Sequence, residues 1–112
     1  MMKLQFIDPG QLRTELRIES AVVTPDGFGG HTQTWTEWAV VFGQIEPVNA
    51  HSYFGAGQEH ERVTHKVLVR FRDGLKSGMR FVTDGRHLYI VTIRDLDERG
   101  RYLLCQVREE GA

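Results

Sequence analysis

The sequence predicts an all-β protein, a small antiparallel β-barrel or sandwich of about six strands with one long loop. Two observations support this fold class. Apolar and polar residues alternate in several short segments, as they do in strands with one buried face. Turn sequences rich in glycine, proline and aspartate separate these segments at short intervals. Short strands at regular spacing, without an amphipathic helix, are typical of small barrels and sandwiches.

The size and charge of the chain limit what it can be. Its 112 residues, of which 40% are hydrophobic and 26% charged, predict one globular domain spanning residues 1–112. A formal net charge of −1 argues against a protein that grips duplex DNA through its phosphates. The N-terminus lacks the apolar run of a signal peptide, and no apolar stretch approaches the ~20 residues that cross a bilayer. We therefore expect no membrane association.

The first half of the chain predicts a hairpin. Leu16, Ile18 and Val22 recur at even positions in a strand over residues 15–23, and residues 31–47 form a second strand rich in Thr, Trp, Val and Phe. Before them, Asp8-Pro9 predicts the cap and first residue of a helical turn that Gly10 keeps short. The structural residues of the turn between the two strands are Asp26, Gly27, Gly29 and Gly30.

The second half predicts four more strands, over residues 62–72, at 81–82, over residues 87–95 and over residues 101–108. Asp84-Gly85 is the strongest short signal, because these residues readily take the positive φ angles of a type I′ hairpin. The other structural turn residues are Asp73, Gly74 and Gly100.

A long segment at residues 49–61 breaks the strand pattern. It has no regular period, and loops of this length in compact domains are usually functional or disordered. We expect it to be an interaction surface. The candidate residues are Asn49, His51, Tyr53, Phe54, Gln58, Glu59 and Glu61.

No motif for catalysis or metal binding is present. Five histidines occur, but only His51 and His60 share a segment with acidic residues, and solvated loop side chains explain them better than a metal site. Cys105 lies inside a late strand, where a small buried side chain is expected and not a nucleophile. The sequence therefore predicts no enzyme, no cofactor and no metal.

Several aromatic residues could serve either as core and interface residues or as stacking platforms for single-stranded nucleic acid. Trp35 and Trp38 fall on opposite faces of a regular strand. We therefore expect one of them in the core and the other in a subunit interface. The remaining aromatics in this set are Tyr53, Phe54, Tyr89 and Tyr102.

Four segments in order resemble the phage head–tail joining family (head–tail adaptor, stopper or head completion proteins). They are DPGQLRTELRIE, DGFGGHTQTWTEWAVVFGQIEP, VTHKVLVRFRDGLKSGMRF and DGRHLYIVTIRDLDERGRYLLCQVRE. Family members typically have a D-x-G-x-L-R start, a DG-x-GG hairpin followed by Trp, an R-x-R-D-G segment and a D-G-[RK] hairpin. Each motif alone is turn chemistry, but their order and spacing are specific. The resemblance spans residues 7–109, and residues 49–61 diverge from the pattern.

The resemblance implies a structural subunit of the head–tail connector ring in a tailed phage or gene-transfer particle. Such a homo-oligomeric ring, six- or twelve-fold, would lie between a portal or adaptor ring above and a tail terminator or tail tube below. Packaged DNA would pass through it without sequence-specific binding. The protein would then reside in the neck of the virion, assembled in the cytoplasm of the bacterial host, with residues 49–61 facing the channel or a neighbouring ring.

A second class of function remains open, a small nucleic-acid- or peptide-binding β-barrel module. A basic groove with interleaved aromatic residues would favour it, and the charge balance of the chain does not. In a connector ring, by contrast, we expect edge strands and loops of neighbouring barrels to form an interface that closes by rotation.

Overall fold

The computed structural model describes residues 8–48 and 63–110. Six strands form one antiparallel sheet that closes on itself in the order β1-β2-β3-β6-β5-β4, so the fold is a barrel and not a sandwich. The strands are β1 (Thr14–Pro25), β2 (His31–Pro47), β3 (His65–Arg70), β4 (Arg80–Thr83), β5 (Arg86–Asp95) and β6 (Tyr102–Glu110). The predicted all-β fold and strand number are confirmed.

Two pairings between distant parts of the chain close the barrel. Hairpins join β1 to β2, β4 to β5 and β5 to β6. The β3–β6 pair and the short β1–β4 pair, in which Ile18 lies opposite Phe81, then complete the ring. Each of the six strands therefore has a neighbour on both sides over part of its length, whereas residues 92–95 of β5 pair with β6 alone.

The core is the interior of the barrel, filled by every second residue of the strands. Leu16, Ile18, Phe81 and Leu88 are fully buried there. The other members of the buried cluster are Val67, Val69, Met79, Ile90, Leu103, Cys105 and Val107. The alternation that predicted the strands is therefore the alternation between the barrel interior and its outer surface.

The predicted turns are present. Asp84 and Gly85 have φ angles of 46° and 76°, the two positive values that a type I′ hairpin requires. Gly74 and Gly100 also have positive φ angles, 95° and 71°. Near the N-terminus, Pro9–Gln11 forms one 3-10 turn, and Asp8 caps it by accepting a hydrogen bond from the Gly10 amide at 3.0 Å.

The expectation that one tryptophan lies in the core is wrong. The β1–β2 register shifts so that Ile18 lies opposite Ala39 while Glu19 lies opposite Glu37, which leaves Trp38 as the extra residue of a β-bulge. The alternation assumed from sequence breaks at this point. Trp35 is half-buried outside the core, and Trp38 is 38% exposed.

The strand directions give the barrel two distinct ends. At one end lie the β1–β2 turn, the segment between β3 and β4, and the β5–β6 turn. At the other end lie the β4–β5 turn, the end of β6, and Val48 and Val63, between which residues 49–62 are inserted. These are termed the arm end and the loop end.

Candidate docking surfaces at the two ends of the barrel

The β1–β2 hairpin extends past the barrel at the arm end. β1 pairs with β4 only at Arg17, Ile18 and Glu19. β2 pairs with β3 only from Gly43 to Pro47. Residues 20–36, termed the arm, therefore form a ribbon in which, within the described chain, β1 and β2 pair only with each other. The molecule is elongated accordingly, with principal extents of 52 × 35 × 27 Å.

The tip of the arm is organised by Asp26. Its Oδ1 accepts hydrogen bonds from the amides of Phe28 at 2.7 Å and Gly30 at 3.0 Å, while the Asp26 amide donates to the Gly30 carbonyl. Gly27 and Gly29 take φ angles of 86° and 88°, which side chains rarely adopt. The turn holds Phe28 outward with 92% of its surface exposed.

A cluster centred on Arg80 fixes the base of the arm to the barrel. The Arg80 guanidinium carbon lies 4.1 Å from the centroid of the Trp35 ring, and Nη1 donates to the Tyr89 hydroxyl at 3.0 Å. Nε and Nη2 reach the Glu19 carboxylate at 2.8 and 2.7 Å. Trp35 and Tyr89 meet edge to face, with centroids 5.8 Å apart. Four strands thus converge on one arginine.

The charge of Glu19 is stabilised by its neighbours. Partial burial raises the pKa of the carboxyl, but the hydrogen bonds and charges of Arg80 and Arg17 together lower it by more. The net effect is a Glu19 pKa below the ordinary value, so this carboxylate stays ionised within the cluster at neutral pH.

Trp38 closes the junction between the arm and the barrel mouth. Its ring lies so close to Gly74 that a Cβ built there would come within 2.9 Å of the indole. The guanidinium carbon of Arg72 lies 5.4 Å from the centroid of the Trp38 ring. The bulge in β2 therefore directs Trp38 onto the segment between β3 and β4.

The loop end has its own ion-pair cluster. Arg86 donates two hydrogen bonds to Glu109, from Nε at 2.9 Å and from Nη2 at 3.0 Å. The hydrogen bond from Arg86 lowers the pKa of Glu109, burial opposes it, and the charges of Arg86 and His65 add to the lowering. The Thr64 hydroxyl accepts from the Glu109 amide at 2.8 Å, and the Val48 amide donates to the Thr64 carbonyl at 2.9 Å. Val48 and Thr64, which flank residues 49–62 in the sequence, are therefore held next to each other at this end of the barrel.

The candidate residues of the long loop, Asn49, His51, Tyr53, Phe54, Gln58, Glu59 and Glu61, lie outside the described residues. Their predicted role as an interaction surface stays a prediction. The structure does bring the predicted turns into two groups: Asp26, Gly74 and Gly100 belong to the arm end, and Asp84 belongs to the loop end.

Four aromatic residues considered as stacking platforms contact arginine side chains of the same chain: Trp35, Trp38, Tyr89 and Tyr102. Arg80 covers Trp35, and the guanidinium carbon of Arg108 lies 5.2 Å from the Tyr89 centroid. Tyr102 is buried to 8% exposure beneath Arg70. Since stacking platforms need free ring faces, this arrangement favours structural roles for these rings over base stacking.

The sequence did not lead us to predict the arm or the Arg80 cluster, although it contains one signal for the arm. The predicted strand over residues 31–47 spans 17 residues, longer than any other predicted strand. Strands of such unequal length cannot all be paired along their whole length in one small barrel. The Arg80–Glu19 contact, between residues 61 positions apart, has no comparable signal.

The described residues contain neither a group of metal ligands nor an ionised thiol. In residues 8–48 and 63–110, no group of three His, Cys, Asp or Glu side chains is placed to hold a metal ion. Burial raises the pKa of the Cys105 thiol to about 12, so it is protonated and inaccessible at neutral pH. None of the helical segments in these residues has the length and apolar character needed to span a membrane.

Comparisons with known proteins identify the family. A protein of the virion of a native gene transfer agent particle has a similar structure, with a TM-score of 0.68 and 27% sequence identity over 90% of this chain and 97% of that chain. Protein SF1141 from Shigella flexneri 2a shares the fold, with a TM-score of 0.65 and 23% identity over 90% of this chain and 96% of that chain. No curated protein matches the sequence significantly. The model of the family described as phage head completion protein matches residues 7–110, and the chain belongs to this family.

Proposed function

We propose that this chain, a structural protein of a phage or phage-like particle, is a subunit of the ring that connects head to tail. Copies of the chain would form a six- or twelve-fold ring beneath the portal or its adaptor and above the tail terminator or tail tube. Its family and its likeness to a gene transfer agent virion protein support this proposal. It would work in the virion neck, after assembly in the host cytoplasm, and by contacts alone, without catalysis or a cofactor.

The observation that carries the proposal is the polarity of the barrel. The closed barrel bears the arm at one end and holds Val48 and Thr64, on either side of residues 49–62 in the sequence, at the other. A connector subunit must contact one neighbour toward the head, another toward the tail, and its own copies at the sides. The arm, the outer wall and the two ends of the barrel give such a subunit separate surfaces for these contacts.

Residues 49–61 are proposed to face the channel or the adjacent ring. Glu59 and Glu61 suit a passage that DNA must cross without sticking, because lysine or arginine in their place would bind phosphates. Tyr53 and Phe54 would bury their rings against a neighbouring subunit or ring, where aromatic residues are enriched. In this position the segment would help to retain packaged DNA until the tail is joined.

The test is deletion of residues 52–58 in the chain that is incorporated into particles. The barrel should keep a cooperative thermal transition, because the anchoring contact from Val48 to Thr64 lies outside the deletion. Particles should carry the shortened chain but lose DNA or fail to join tails. A variant in which the same positions are replaced by an equal length of Gly and Ser separates chain length from side-chain chemistry.

Two outcomes would contradict the proposal. Normal DNA retention and tail joining by the deletion variant would show that the segment does not act in the passage. Absence of the wild-type chain from purified particles would reject the connector role altogether.

A further inference from the structure

Besides Trp38 and Phe71, the exposed large apolar side chains of the described residues fall into two groups. At the arm, Val22 and Val23, on opposite faces of β1, and Phe28 at the tip are 45%, 58% and 92% exposed. On the outside of the barrel, Val40 and Phe42 of β2 are 44% and 54% exposed and form what is termed the wall patch. Their neighbours Ala39 and Val41 pack against the core, so the wall patch faces outward from the barrel.

The arm has little of the usual protection of an open β-edge. Natural proteins guard such edges with lysines, inward charges or prolines that prevent pairing with other chains. Residues 20–36 contain one proline, Pro25 at the end of β1, one acidic residue, Asp26, and no lysine or arginine. A long, nearly uncharged ribbon with an exposed phenylalanine at its tip is a liability unless another surface covers it.

Two arginines and one glutamate border the wall patch. Val40 lies directly opposite Arg17, which also contacts Glu19 at 3.3 Å, and Phe42 lies directly opposite Glu15. Arg70 follows Val69, the register partner of Gly43, which places it beside Phe42 on the other side. Arginine is therefore in excess around the wall patch, whereas the arm tip carries one aspartate.

The arm cannot cover the wall patch of its own chain. Val23 pairs with Gln33, and Val40 lies seven positions further along the same strand, roughly 20 Å away at the rise of a β-strand. The tip lies beyond that point. Contact between the two surfaces therefore requires two molecules.

We propose that the arm of one subunit packs on the wall patch of the next copy of this chain, with Phe28 against Phe42 and Asp26 near Arg17 and Arg70. Because the two surfaces differ, each subunit would offer an arm on one side and a wall patch on the other. Such a head-to-tail contact repeats and closes into a ring when the rotation between subunits allows. The inference rests on the proposed ring and assigns its subunit-to-subunit contact.

The experiment is cysteine cross-linking in assembled particles. One copy of the chain carries Phe28→Cys and a second, distinguishable by an affinity tag, carries Phe42→Cys, and both are supplied during assembly. After mild oxidation and denaturation, a disulfide-linked dimer containing both variants is expected. Buried Cys105 should not compete for the cross-link. A second pair, Val23→Cys with Val40→Cys, keeps both phenylalanines in place.

The controls separate this inference from the connector role. Particles containing only the Phe28→Cys chain should give no dimer, since a tip-to-tip dimer would show a symmetric contact and overturn the proposal. If both cysteine pairs enter particles and neither gives the mixed dimer, the arm contact is wrong while the connector role stands. If no chain of any variant or of the wild type enters particles, the connector role itself fails.

A substitution gives an independent measurement. Phe28→Ser removes an exposed ring, so the melting temperature of the isolated chain should not change, while the yield of tail-joined particles should fall at least tenfold. Arg99→Ser, at the exposed β5–β6 turn, is the matched control and should leave the yield unchanged. A normal yield with Phe28→Ser would contradict the proposed contact.

Discussion

Arg80 of β4 stacks on Trp35 of β2, with its guanidinium carbon 4.1 Å from the ring centroid, although these two strands are not neighbours in the sheet. The contact reaches across β1, whose Glu19 receives two nitrogens of the same guanidinium. The arm therefore joins the barrel through a side-chain cluster as well as through the β1–β2 ladder. An isolated two-stranded ribbon is marginally stable in water, and this cluster supports the arm at its base.

Replacing Arg80 with methionine should destabilise the protein by about 1–3 kcal/mol, because the Glu19 carboxylate would keep its burial and lose its main partner. Both side chains are only 13% exposed, so solvent does not compensate fully. Arg80→Lys should recover part of the loss, since it keeps the charge but not the planar contact with Trp35. Urea denaturation measures both variants, with Arg94→Met on the exposed surface as control. Equal stability of Arg80→Met and the wild type would show that the cluster contributes nothing.

The ion pairs of the two barrel ends predict loss of stability in acid. Arg86 holds the pKa of Glu109 below its ordinary value of 4.5, and Arg80 and Arg17 outweigh burial in lowering that of Glu19 from the same value. A depressed pKa in the folded state contributes stability above the unfolded pKa, and this contribution is lost as the pH falls through the folded pKa. The free energy of unfolding should therefore decline below about pH 4.5.

The Glu109→Gln variant measures how much of the decline in the free energy of unfolding comes from the Arg86–Glu109 pair at the loop end. The amide cannot titrate, so the variant should be less stable at pH 7 and should lose less stability between pH 5 and pH 3 than the wild type. Denaturant titrations across this range measure both effects. A variant whose profile runs parallel to that of the wild type would show that Glu109 is not the titrating group.

The strands and tight turns were predictable because both are determined by local chemistry. Leu16 and Ile18 alternate with polar residues because every second side chain of β1 points into the barrel. Asp84-Gly85 predicts a tight turn because few other residue pairs adopt its backbone angles. The failure at Trp35 and Trp38 has a physical cause. A β-bulge adds one residue to one strand of a pair. The sequence of β2 alone does not show that Trp38 has no partner residue in β1.

The sequence also could not predict that the barrel closes or that side chains gather around Arg80. The β1–β4 pair joins Ile18 to Phe81, and the sequence between them contains no signal for that register. Barrels and sandwiches contain the same alternating strands, so local patterning could not decide between them. The arm follows from the mismatch of strand lengths, but its attachment through Arg80 depends on the closed barrel.

Gly85→Val should destabilise the β4–β5 hairpin by about 1–3 kcal/mol, because a β-branched residue would be forced to a positive φ angle. Gly85 has a φ of 76°, and no atom outside its chain neighbours lies within 4 Å of a Cβ built there. The cost would therefore come from backbone strain and not from a clash. Asp84→Asn, in the same turn, should be tolerated, since asparagine accepts positive φ angles. An unchanged melting temperature for Gly85→Val would show that the turn adopts another conformation.

Gly43 is predicted to be required by close packing and not by backbone conformation. It lies where β2 enters the barrel, between Thr14 of β1 and Val69 of β3. A Cβ at this position would lie 2.7 Å from the Leu68 carbonyl oxygen and 2.9 Å from methyl carbons of Leu16 and Val69. All three distances are shorter than side-chain contacts allow, and the closest atom belongs to the backbone, which cannot rotate away.

Gly43→Ala should therefore destabilise the protein by about 1–3 kcal/mol, although alanine has the higher intrinsic stability in a strand. The substitution must separate β2 from β3 or displace Leu16, whose side chain is fully buried in the core. Gln44→Ala, at the next position on the outer face of the same strand, provides the matched control and should change stability by less than about 0.5 kcal/mol. Thermal or urea unfolding of both variants measures the difference. If Gly43→Ala equals or exceeds the wild type in stability, β2 and β3 do not approach each other as closely as the barrel requires.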